Sequence, residues 1–102
     1  MSVEEERFKL RQRAHEEHIA FLEAKVALKM RELEYFESEE DKVVPIEPSY
    51  EYETRDAFQR LRYDNLINSI RKEIADTVLE VENNKIALAE AIEAEDARSN
   101  RH

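Results

Sequence analysis

Apolar residues recur along this chain at steps of three and four, and the pattern is interrupted once. From about Val3 to Glu39 no proline or glycine intervenes, and the spacing predicts one long helix. Ser2, with Glu5 three residues later, fits a capping box, in which both side chains satisfy orphan backbone donors at a helix start. From about Asp41 to Glu53 the period breaks at Val43-Val44-Pro45-Ile46-Glu47-Pro48-Ser49. Proline lacks the N–H that a helix needs and pushes the preceding residue toward extended geometry, so this stretch reads as a linker. Helical spacing resumes at about Thr54 and runs to about Arg98, with Ser49 or Thr54 as the cap.

Each helix carries more than one apolar stripe. On the first, Phe8, His15, Ile19, Leu22, Val26, Leu33 and Phe36 form a seam with Met30 beside it. A second stripe, Leu10, Ala14, Phe21, Ala24, Leu28 and Tyr35, lies about 140° away around the helix at 100° per residue. The second helix has a seam at Tyr63, Ile67, Ile70, Ile74, Thr77, Val81, Asn84, Leu88 and Ala91, the alternation of a coiled coil. A weaker stripe joins Ala57, Leu61, Ala75, Leu79 and Ile86. Two helices of similar length with a short linker favour an antiparallel hairpin, so the expected fold is an all-α, single-domain coiled-coil hairpin.

One hairpin buries one seam per helix, and the second stripes then stay in water. Soluble monomers seldom leave large apolar patches exposed. The expectation is therefore a homodimer, two hairpins paired into a four-helix bundle; in the alternative, the second stripe only widens a single seam. A two-fold interface must be self-complementary, and the first helix's second stripe satisfies that requirement when it is paired antiparallel with its own copy. With Ala24 at the axis, Phe21 meets Leu28, small Ala14 meets large Tyr35, and Glu17 approaches Arg31.

Composition narrows the field further. The chain is 40% charged and 41% hydrophobic with no glycine, the style of long helices rather than of folds rich in tight turns. A formal charge of −9 opposes binding to DNA, RNA or anionic lipid. No cysteine is present, which removes disulfide and thiolate chemistry. The acidic start lacks the apolar region of a secretory signal, and no apolar run is long enough to span a bilayer, so a cytoplasmic protein is expected.

Candidate chemistry is sparse. His15 and His18 share a helix face, but the zinc-protease pattern needs histidines four apart, and the second helix has no histidine to complete a carboxylate-bridged metal bundle. His15 fits boundary packing, so no metal and no cofactor is expected. None of the five serines stands in a glycine-flanked nucleophile elbow, and a narrow hairpin has little volume for a desolvated acid, so no enzyme is expected. The basic residues Arg7, Lys9, Arg11 and Arg13 point in at least two directions among glutamates, which suits a solvated face better than a nucleic-acid site. Thr77 and Asn84 interrupt the apolar seam of the second helix. Polar residues at such positions lower stability but specify register, and Asn84 is the better candidate for that role.

Negative charge gathers at one end. Between Glu34 and Glu53 eight acids face Lys42 alone, leaving −7 of the total −9 there. This predicts a partner-binding tip of Phe36, Glu37, Glu39, Glu40, Asp41, Ile46, Tyr50 and Tyr52, suited to a protein with a basic surface; the alternative is a solvated loop. The function expected is a non-enzymatic, self-associating adaptor, scaffold or assembly factor, a style shared with small phage and bacterial assembly proteins. A second reading, an acidic inhibitor that mimics nucleic acid, predicts acids along the whole length rather than at the tip.

Overall fold

The computed structural model describes residues 2–42 and 50–100, with residues 50–56 described by their backbone alone. Two helices account for nearly all of them: α1, Val3–Asp41, and α2, Tyr50–Ser99. Ser2 caps α1, its Oγ accepting the Glu5 N–H at 3.2 Å, as the sequence predicts. Glu4, Glu5 and Glu6 occupy the first turn, where the helix dipole favours negative charge.

The start of α2 differs from expectation. It begins at Tyr50, four residues before Thr54, so Tyr50 and Tyr52 belong to the helix and not to the linker. The reason is local: beyond Pro48 no proline or glycine opposes helix, and Ser49 is the earlier of the two capping candidates. Asp41 likewise belongs to α1.

The chain forms two compact units, each containing a piece of both helices: Met1–Lys25 with Thr77–His102, and Val26–Asp76. In the first unit the helices run antiparallel, with Glu4 beside Arg98, His15 beside Asn84 and Glu23 beside Lys85. Its core is Ile19, Leu22 and Val81, with Leu88 packed against them. Antiparallel pairing in the second unit is marked by Lys29 with Glu73, Phe36 with Tyr63 and Glu37 with Arg71. Ile67 and Ile70 are buried there.

The α1 seam of the sequence is the buried line of the structure. Ile19 and Leu22 are buried, and Phe8, His15, Val26, Leu33 and Phe36 are half-buried, while Met30 beside them is exposed. On α2 the seam holds from Tyr63 to Leu88, but Ala91 is exposed and Ile92 is half-buried in its place. A straight helix drifts about 20° per heptad from a 3.5-residue repeat. By the end of α2 that drift has carried position 91 off the seam and brought 92 onto it.

Candidate interaction surfaces

Inside the first unit the seam holds a polar pair. Asn84 Nδ2 donates to the Glu80 carbonyl at 2.7 Å, which directs its Oδ1 toward His15. The His15 Nε2 lies 3.2 Å from that oxygen. Because Oδ1 can only accept, the ring nitrogen is the donor in this arrangement. Two residues that the sequence singles out separately, one per helix, thus meet. His15 faces Asn84 rather than His18, which is exposed. Thr77, the other polar seam residue, is buried.

The outer face of α1 presents a line of large apolar side chains to water. In the first unit Leu10 is 63% exposed and Phe21 64%; in the second, Leu28 is 64% and Tyr35 60%. Ala14, Glu17, Ala24 and Arg31, the smaller and charged members of the line, are exposed as well. None of the seven residues chosen for self-association is buried between the helices of its own unit. The weaker stripe of α2 behaves alike, with Leu61, Leu79 and Ile86 exposed. Phe58, on neither stripe, is also exposed, and the periodicity gives no signal of it.

The acidic end is more committed to its own chain than the sequence suggests. Arg71 donates to Glu37 at 2.9 Å, and Lys42 donates to Glu39 at 2.9 Å. Phe36 is half-buried, its ring 6.5 Å from that of Tyr63 and 5.2 Å, edge-on, from that of Tyr35. Counting charges from Glu34 to Glu53 overlooks Arg71 of α2, which the fold brings to this end. Glu40 instead lies against a second carboxyl group, that of Asp64. A hydrogen bond with Asp64, aided by desolvation and by the charges of Asp64 and Asp41, holds its carboxyl above the usual range, and Arg60 opposes the shift. Lys29 is also raised: the hydrogen bonds its ammonium donates to Glu73 and Glu32 keep it charged to higher pH. Asp41 is exposed. Ile46 and the side chains of Tyr50 and Tyr52 lie outside the described residues.

A cavity of about 420 Å³ opens in the first unit between Phe8 and His15 of α1 and Leu88, Ala94 and Arg98 of α2. The acid in its lining, Glu95, is held by Arg98 at 2.7 Å, and Arg98 also reaches Glu4 at 3.6 Å. Among the described residues no group of three or more His, Cys, Asp or Glu is placed to hold a metal ion. No helix is long and apolar enough to cross a membrane among them. No family model, curated protein or solved structure matches the chain.

Proposed function

We propose that this chain is a non-enzymatic protein-binding hairpin that associates with its own copy through the outer face of α1 and serves as an adaptor, scaffold or assembly factor. The observation that supports this is the exposure of Leu10, Phe21, Leu28 and Tyr35 although α1 is packed against α2 in each unit. A row of four large exposed side chains at helical spacing is the kind of apolar patch that often marks a protein–protein contact. Docking two α1 helices antiparallel about Ala24 would bury Phe21 against Leu28, each contributing roughly 1.5–3 kcal/mol per chain. Ala14 would leave room for Tyr35, and the methyl of Ala24 lets the two backbones approach. The assembly then contains four helices, with the α1 pair at its centre.

The second reading, an acidic end that docks on a basic partner, has less support. Glu37 and Glu39 already have cationic partners within the chain, and a docking protein would have to compete with them.

Substitution of Ala24 by Glu tests the first reading. Two carboxylates would meet at the axis, and the dimer should dissociate. Ala87→Glu, exposed and off both α2 stripes, should leave it intact. Sizing by light scattering over a concentration series reads both, and the melting temperature of the wild-type chain should rise with concentration. A wild-type chain that stays monomeric with a concentration-independent melt would sink the self-association reading.

A further inference from the structure

The outer face of α1 carries a second pattern beside its apolar line, and that pattern is electrostatic. Because α1 is one uninterrupted helix from Val3 to Asp41, residues one step before or after the line flank it on either side. Arg11 and Arg13 flank Leu10 and Ala14, whereas Glu32 and Glu34 flank Arg31 and Tyr35. The flank is thus basic in its amino-terminal part and acidic in its carboxy-terminal part. Arg13 and Glu34 are exposed, and neither is in an ion pair among the described residues.

We infer that the occupant of this face is a second copy of the chain in antiparallel orientation only, selected by pairing of Arg13 with Glu34 of the second copy, twice per dimer. This rests on the self-association reading and adds to it the charges that choose orientation and partner. Arg13 directly precedes Ala14, and Glu34 directly precedes Tyr35. When Ala14 meets Tyr35, the two charged residues fall on the same side of the interface and within reach of each other. The pair of Glu17 with Arg31 acts in the same sense, within the line itself. A parallel pairing would instead set Glu17 against Glu17 and Arg31 against Arg31 within the line, and would carry Arg13 and Glu34 of the two copies to opposite sides of the interface, where neither finds its counterpart. The antiparallel arrangement has two kinds of opposing contact, Lys25 near its own copy at the axis and Glu6 near Asp41 of the second copy beyond the ends of the line. The attractive pairs lie inside the apolar line and beside it, where water is more excluded than at its ends. Rim charges of this kind act mainly by rejecting wrong partners and registers.

A charge swap tests this in the full-length chain. Dimer dissociation constants would be measured by sedimentation at low salt for wild type, Arg13→Glu, Glu34→Arg and the double variant. Each single substitution turns two attractive contacts repulsive and should weaken the dimer roughly tenfold; the double variant should return to within about threefold of wild type. Helicity by circular dichroism should stay unchanged, because both side chains are exposed. If a single variant loses helicity, Glu17→Arg, Arg31→Glu and their combination put the same question at the neighbouring pair. A wild-type dimer whose single variants bind equally well, or whose double variant is not restored, overturns the antiparallel charge-selected orientation while leaving self-association standing. A wild-type chain that never dimerises removes both.

Discussion

The unit formed by Met1–Lys25 with Thr77–His102 and the unit formed by Val26–Asp76 solve one problem, joining two highly charged helices, in different ways. The first closes on an apolar cluster, Ile19, Leu22 and Val81 with Leu88, and places a side-chain hydrogen bond, His15 to Asn84, inside the seam. Its ion pairs between helices are long, 3.7 Å for Lys85 with Glu23 and 3.6 Å for Arg98 with Glu4. The second unit buries Ile67 and Ile70 but sets a lysine, Lys29, on the α1 seam line, half-buried and held by Glu73 at 2.9 Å. Arg71 adds a second close contact, at 2.9 Å from Glu37. The first unit thus joins its helices through apolar contacts and a half-buried hydrogen bond, which salt screens little. The second relies more on partly exposed charge, which salt does screen.

The largest effect that can break this contrast is a cavity. Leu22→Ala in the first unit and Ile70→Ala in the second each remove a buried branched side chain, and each should lower stability by about 2–5 kcal/mol. Residue-level hydrogen exchange decides the issue. Each substitution should reduce protection first within its own unit, and uniform loss throughout both helices would show that the two melt as one. Next comes the polar pair. Asn84→Ala should cost about 0.5–1.5 kcal/mol by urea denaturation, the net worth of a hydrogen bond of this kind. Asn84→Leu should recover that stability while loosening register, visible as weakened cross-helix contacts to His15 in NMR spectra. If Asn84→Leu keeps those contacts unchanged, the pair packs without specifying anything.

Salt separates the units more gently. Raising sodium chloride from low to about 1 M shortens the screening length to about 3 Å. Amide exchange should quicken around Lys29, Glu73, Glu37 and Arg71 and hold steady around Ile19, Leu22 and Val81. Equal response in both regions would remove the distinction drawn here.

The smallest effect is the pH dependence of Glu40. Its folded carboxyl keeps a proton to higher pH than the unfolded chain does, because Asp64 shares that proton. Between the unfolded and folded values the native state binds more protons, so this contribution to stability is present in acid and lost as pH rises through the folded value. Asp64→Asn replaces the like charge with an amide donor. It should raise the melting temperature slightly at neutral pH, and the difference from wild type should vanish in acid. A difference that is constant with pH would remove Asp64 as the cause.

How much of this the chain announces can be judged residue by residue. The period of the apolar positions, the two prolines and the Ser2 cap determine two helices and one linker, and these are local properties that neighbours along the chain suffice to set. The same period placed Ile19, Leu22, Ile67, Ile70 and Val81 in the seam, because the step between core residues is a property of a single helix. It likewise singled out Phe21, Leu28 and Tyr35 as surplus to that seam. Once one stripe faces the partner helix, a stripe about 140° away has nothing left to face within a two-helix unit.

What only the tertiary structure decided is which side chains meet. That Asn84 answers His15, that Arg71 answers Glu37, and that Glu40 lies against Asp64 depend on the offset between two antiparallel helices. No local spacing fixes that offset, since sliding one helix by a heptad keeps the two seams facing each other while changing which polar side chains meet. The drift that exposes Ala91 and turns Ile92 inward has the same origin. It accumulates over many turns and is read only against the helix opposite, so register belongs to the packed pair and not to either helix alone.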